Sequence, residues 1–529
     1  MDPLTLLPSE LVLRILEFTP TSDLASLTRL NRSWHAFIDE THQEAIYFTP
    51  GRTDHAAGLR DVSLFEKEPR TFAKYYQDVE SWKDLCRRQT LLSKNWDAER
   101  PLTTERKIIV GRDPIWRFRP DFQRRIILST SHEDMDSGDL LWKLERDDVR
   151  PFAHLEYADG VACWDCDGEG IEVWRIGRER GVKVKVLEHE VQTRGFQLSC
   201  FGGVWCLCVV SNAGCGFVYE GEKRELELTK RMVIPTGAVG HLDQDEGVVV
   251  YSLGSGGYHF FEKGTGEKMV GLKPEVLEPE VFHIVHPDEH FRRGTMEDIG
   301  KAARDRTVPL AIRPGPLPGD ERVPLEDDEW GAGMLSGNLF VGVSRAGRLL
   351  ICPNWRALIP HTSPTSTAPL TDLIQIIECD SDGSTFDLGG WLSVRDHRVL
   401  LEIQDLIYII GLTDSDHVRD GESRPSFATS TAIKPQYANP VSFMGLYEDC
   451  LMSTYTTLLY RSRSDEAEGV VPRIFQTKAV RVLNLAPDLS GHGEVVEDEE
   501  EELDLPVSGA TRAELFHLIA LLARGEDGD

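Results

Sequence analysis

Cys163 and Cys166 stand two residues apart, a spacing at which two thiolates can share a metal ion or form a redox pair. His283 and His286, in the stretch FHIVH, are close enough to suggest a second ligand pair. Neither pair is completed. No second CxxC follows the first, and no cysteine pair lies near the histidines. A zinc ion needs three or four such ligands, so the cysteines are expected to pack and the histidines to sit in a loop or at a sheet edge. The chain has no GxSxG elbow, P-loop, GxGxxG or HExxH. Its carboxylates are too numerous for any two to stand out as an acid–base dyad. The expectation is a protein without catalytic residues, metal or cofactor, and not an enzyme.

Composition narrows the partners. The net charge is −30, yet residues 1–105 hold 13 basic and 17 acidic side chains, so −26 lies beyond them. Such a surface repels phosphate backbones and anionic membranes; neither nucleic acid nor membrane is expected as a partner. No apolar run approaches the roughly 18 residues of a membrane span, and no basic-then-apolar leader is visible. The ten cysteines are scattered. They are expected to be reduced and mostly buried, in a cytoplasmic or nuclear protein. At 529 residues the chain is too long for one core, so two or three domains are expected.

The first of these is read from LLPSELVLRILEFTPTSDLASLTRLNRSWHAFID, Leu6 to Asp39. Pro8 pre-sets a helix start, and Ser9 and Glu10 suit the first turn. Leu11, Ile15 and Phe18 recur at helical spacing beside Val12 and Leu16. Pro20 ends that helix. Thr21, Ser22 and Asp23 offer caps for a second helix carrying Leu24, Leu27 and Leu30, and after Asn31 a third carries Trp34, Phe37 and Ile38. Three helices in about forty residues are too small to bury this apolar surface alone. The alternative is a helical cap whose leucines serve only the core of this chain.

The pattern resembles an F-box: Leu7-Pro8, Glu10-Leu11, Ile15-Leu16, Asp23-Leu24, Leu27, Leu30 and Trp34. Family members usually have Val then Cys before the Trp, where this chain has Leu30 and Asn31. The resemblance implies docking on the Skp-type adaptor of SCF ubiquitin ligases, with Leu7, Pro8, Leu11, Ile15, Leu16, Leu24, Leu27 and Trp34 building or bracing the interface. A second stretch, SWKDLCRRQTLLSKNW (Ser81–Trp96), is amphipathic. It resembles the WK-x-LC…NW linker of F-box proteins that carry a β-propeller, and implies a rigid spacer.

Beyond Arg106 the texture changes to short strands and Gly/Asp turns. GVACWDCDGEGIEVWRI (Gly160–Ile176), GVWCLCVVSNAGCGFVYEG (Gly203–Gly221) and GVVVYSLGSGGYHFFEKG (Gly247–Gly264) each read as an apolar strand, a glycine turn and an aromatic strand. Such recurrence every forty-odd residues is the period of propeller blades. Gly337–Asn354, Trp391–Leu412 and Leu446–Ser462 read as further hairpins, and Arg106–Ser129 as the opening of the ring. Six to eight blades are expected; a large β-sandwich or two smaller β domains is the alternative. Lys273–Asp328, Pro360–Pro369 and Asp414–Pro440 read as surface insertions. The acidic run Val495–Asp504 reads as a solvated tail, and Ala510–Ala523 as an amphipathic helix.

The expected fold is thus α+β and multidomain: an F-box over 1–48, a helical linker over 49–105, a β-propeller-like, WD-repeat-like domain over 106–490, and the acidic tail and helix over 491–529. The expected function is that of a substrate-recognition subunit of an SCF-type ligase, joined through the adaptor to a cullin and a RING subunit and presenting an unknown protein substrate. An F-box protein acting with the adaptor outside a ligase, or a propeller enzyme with a helical cap, are the alternatives. Arg345 and Arg348, and Arg292 with Arg293, are candidates for reading a phosphorylated substrate, as propellers of similar F-box proteins often do; the plainer expectation for each is a solvated loop charge.

Overall fold

Proline and Asx/Ser punctuation sets the helical boundaries. In the computed structural model, helices α1 (Pro3–Leu6), α2 (Ser9–Leu16), α3 (Thr21–Leu27), α4 (Arg32–His35, continuing as a π-turn over Ala36–Thr41) and α5 (Gln43–Gly51) precede a long α6 (Trp82–Trp96). The structure describes residues 2–51, 70–108, 115–129, 131–135, 140–143, 153–166, 170–177, 181–188, 193–222, 226–235, 241–285, 307–318, 323–359, 373–379, 391–403, 406–430, 441, 443–461 and 473–489. His286, Arg292, Arg293, the insertion 360–369, the acidic run and the helix expected at 510–523 lie outside them. The three helices read from the sequence are α2, α3 and α4; the one-turn α1, closed by Asp2 accepting from Leu4 N, is an addition.

Among the described residues, the strands form five four-stranded antiparallel sheets and one ten-stranded sheet that contains two more four-stranded antiparallel sets; these seven sets are the blades. Blades 1 to 6 span 119–143, 155–188, 193–233, 242–272, 330–378 and 392–430. Blade 7 takes Met444–Leu446, Cys450–Arg461 and Arg473–Asn484, and its fourth strand is Thr104–Ile108, antiparallel to Arg473–Asn484. First strands touch their neighbours in order around a centre. Blade 7 meets blade 1 where Phe118 and Phe443 cross edge to face at 4.8 Å inside a shared cluster with Ile127, Met452 and Val482. Blades have apolar side chains on both faces, so each is covered only between two others; Val161, Cys163 and Val173 of blade 2, for instance, pack on Phe196, Leu207 and Phe217 of blade 3. The result is a closed seven-bladed propeller, within the expected six to eight.

The three regular hairpins are the second and third strands of blades 2, 3 and 4. The turns that lead into two of them, from first strand to second, are tight: Asp159-Gly160 and Gly202-Gly203 have two successive positive φ angles, as a two-residue type I′ hairpin demands. Five expectations are corrected. Arg106–Ile108 does not open the ring but supplies the outer strand of its last blade. Trp391–Leu412 holds three strands, not two, and Leu446–Ser462 runs into one long strand whose partner lies beyond it. Lys273–Asp328, read as irregular, contains Glu280–Val285 and Val308–Pro314. These pair with the outer strands of blades 5 and 6 and join them into a ten-stranded sheet. Asp414–Pro440 contains the buried outer strand of blade 6, Ser426–Ser430.

A ring with a shared last blade should not survive division. Residues 104–336 contain blades 1 to 4 and the closing strand without its partner. The fragment is expected to aggregate or to lack a cooperative melt; a soluble fragment with a sharp thermal transition would mean separable β domains.

Candidate docking surface

Helix α2 divides the sequence-predicted residues into two sets. Its inner side, Val12 and Leu16, is buried with Leu24, Trp34, Ile38, Ile46 and Tyr47 of the following helices. Its outer side is open: Leu11 and Ile15 on the helix and Phe18 in the turn just after it, at i, i+4 and i+7, are 52, 55 and 77 % exposed. Leu7 and Pro8 at the entry to α2 are exposed as well, and Leu27 is half-buried. So of the eight residues expected to build or brace the interface, Leu16, Leu24 and Trp34 are placed as internal braces, and Leu7, Pro8, Leu11 and Ile15 as available contacts. Leu6 and Leu30, 58 and 66 % exposed, and Phe18 were not among the eight. The helical spacing contains Phe18; nothing in the sequence marks Leu6 or Leu30 as outward.

Polar chemistry frames this face. Arg14 pairs with Glu17 and lies over the Phe18 ring, 5.1 Å from its centre. Asn31, the departure from the family pattern, is a helix cap: its Oδ1 accepts from Trp34 N at 2.9 Å. It starts the turn that buries Trp34, a task the usual apolar residues there would leave to the backbone alone.

Helix α6 holds the module to the ring. Ser81 caps it, accepting from Asp84 N. Trp82 meets Phe48 edge to face at 5.1 Å, Cys86 Sγ donates to Tyr47 O at 3.5 Å, and Lys83 reaches Asp39 at 2.7 Å. At its other end Trp96 Nε1 donates to Glu448 O at 3.0 Å, and Asn95 bonds both Leu102 and Leu485 O, the residues flanking the two strands that close the ring. Arg398 pairs with Asp97 and covers the Trp96 ring. Before α6, Asp449 accepts from Phe72 N and Ala73 N at 2.8 Å each, while Arg125 donates to Thr71 O and Phe72 O. Burial pushes the Asp449 carboxyl up to about 6, against the two N–H groups that hold its charged form. The Asn95-Trp96 pair was visible in the linker motif; Asp449 was not, because Tyr447-Glu448-Asp449 reads as an ordinary solvated turn.

Other expected candidates are placed elsewhere. Arg348 is buried, bonded to Asp328, Glu378 and Val323 O, and holds the blade instead of facing solvent. Arg345 is exposed and paired with Glu329. His283, expected in a loop or at a sheet edge, is instead buried in Glu280–Val285 within the ten-stranded sheet, with Nδ1 against Gly315 O at 2.9 Å. Cys163 lies in the apolar interface between blades 2 and 3, and Cys166 ends the same strand.

A protein-family description, F-box-like, matches residues 4–43, so α1 to the start of α5 form an F-box-like domain. No curated protein matches the chain. Among solved structures it is similar to the computationally designed Ika8 protein, at 12% identity over 72% of this chain and 98% of that one (TM-score 0.35). It is also similar to BamB from Moraxella catarrhalis, at 11% over 72% and 100% (TM-score 0.38). The chain is thus an F-box-like helical module followed by an all-β domain of several sheets.

If Asp449 anchors the segment before α6, Asp449→Ala leaves the buried Phe72 N–H and the part-buried Ala73 N–H without their acceptor. A loss of about 2 kcal/mol in urea unfolding is expected. Unchanged stability would mean that the clamp contributes nothing.

Proposed function

We propose that this chain is a substrate-recognition subunit of an SCF-type ubiquitin ligase: the exposed face of α2 binds a Skp-type adaptor, and the propeller carries a protein substrate. The observation that carries this reading is the row Leu11, Ile15 and Phe18, left open on a helix whose other side is fully packed, within the F-box-like residues 4–43. A folded protein rarely leaves such a row uncovered without a partner. Apolar anchors rimmed by Arg14 and Glu17 have the anatomy of a protein interface.

In this reading the chain does no chemistry. It acts by geometry: α6 and its clamps set the distance between adaptor and substrate, and holding a substrate lysine near a charged carrier enzyme raises its effective concentration. A cullin and a RING subunit join through the adaptor, in the cytoplasm or nucleus. Recovery of adaptor and cullin with the full chain supports the ligase; adaptor without cullin supports a role outside it; neither leaves the helical cap.

Leu11→Ala with Ile15→Ala should weaken adaptor binding by about 2–4 kcal/mol in titration calorimetry with little change in melting temperature, since both side chains face solvent. Leu16→Ala should instead lower the stability of the helical module. Unchanged affinity in the folded double variant would refute the docking face.

A further inference from the structure

Lys263 is a buried cation, 4 % exposed, without a carboxylate partner among the described residues. Its Nζ donates to Gln244 Oε1 at 2.7 Å and to Cys206 Sγ at 3.3 Å, and lies 4.7 Å from the centre of the Phe201 ring. Gln244 cannot turn to offer anything else, because its amide nitrogen donates to Gln197 O and Cys206 O. An ammonium in an apolar site needs an anion, and the group in place to supply it is the Cys206 thiol. The Cys208 thiol beside it and the Lys263 ammonium hold Cys206 below its ordinary value, against burial and the Glu220 carboxylate across the sheet. Burial pushes Cys208 well above its own. The arrangement is a cysteine–lysine contact spanning blades 3 and 4, with the ammonium placed to favour the charged form of the sulfur.

We propose that Cys206 and Lys263 form a redox modification site, in which a hydroperoxide joins the two side chains through a sulfur–nitrogen bond. The Cys206 thiolate attacks the peroxide: an S–O bond forms, the O–O bond breaks, and the departing hydroxide takes a proton from the Lys263 ammonium to leave as water. The now neutral Nζ, already in contact with the sulfur, attacks it. The S–N bond forms, the S–O bond breaks, and hydroxide leaves with an amine proton as a second water. Sulfur is oxidised by two electrons and the peroxide is reduced. The rival product is a Cys206–Cys208 disulfide: the Cys208 thiol lies beside Cys206 and donates to the same Gln244 Oε1 at 3.2 Å, but the strand backbone opposes the bridge. Residues i and i+2 of a strand put their Cβ atoms about 6.6 Å apart on one face, beyond the roughly 3.5–4.5 Å that a disulfide spans. Peroxide is about the size of water, and the pair lies next to two turns, Gly202-Gly203 and Gly264-Thr265-Gly266. The bond would staple two neighbouring blades that otherwise meet only through side chains.

The test is titration of the full-length protein with hydrogen peroxide, followed by tryptic digestion and mass spectrometry without reductant. Trypsin should fail at Lys263, the peptide holding Cys206 should be linked to the one holding Lys263, and the pair should weigh about 2 Da less than its reduced parts, with dithiothreitol reversing the change. Lys263→Arg keeps the charge but loses the amine; Cys206 there should stop at a sulfenic acid trapped by dimedone. Oxidation that spares Cys206 while modifying Cys200 or Cys215, or a Cys206–Cys208 disulfide in the wild-type protein, would overturn the proposal.

Discussion

The pairing of Thr104–Ile108 with Arg473–Asn484 is the contact on which the rest of the molecule depends. A propeller is a ring of sheets that each need two neighbours, and it is stable when no terminal blade can peel away. Here the last blade is completed by a strand from the start of the β region, so the ring closes only when the chain's two ends meet. Arg481 reinforces the seam: it reaches Glu105 at 3.0 Å and also donates to Thr429 and Ser430 of blade 6. Despite burial, Arg481 and Lys107 keep the Glu105 carboxyl below its usual value.

The same contact governs the helices. Only a few residues separate Trp96 from Thr104, so closing the ring brings the end of α6 against blades 6 and 7. Asn95 then bonds to residues beside both closing strands, and Trp96 and Asp97 are held by Glu448 and Arg398. The linker is therefore anchored at three points, none of which asks anything of the exposed face of α2. The exposed face of α2 and the anchoring contacts are different surfaces, as the proposed spacer role would require.

The sequence was most legible where periodicity is local. Helical spacing from Leu11 to Phe18 and the hairpins from Gly160 to Gly264 each follow from residues a few positions apart. It was least legible where partners are distant. Nothing near Arg106 says that its strand pairs near residue 480, and nothing near Asp449 says that it receives two N–H groups from residues 72 and 73. Polar composition also misled: the segment holding Ser426–Ser430 reads as loop, yet small polar side chains there are buried between strands. Within the candidate surface, the spacing identified the amphipathic helix but not which apolar residues turn inward, since Leu11 and Leu16 are chemically alike and differ only in what packs on them.

Hydrogen exchange by mass spectrometry, with and without a purified Skp-type adaptor, tests the account most directly. Amides of residues 6–30 should slow markedly in the complex, while those of the propeller strands stay as they were and α6 remains protected in both states. Protection confined to the propeller, or no change over residues 6–30 with adaptor bound, would contradict a docking surface on the N-terminal helices.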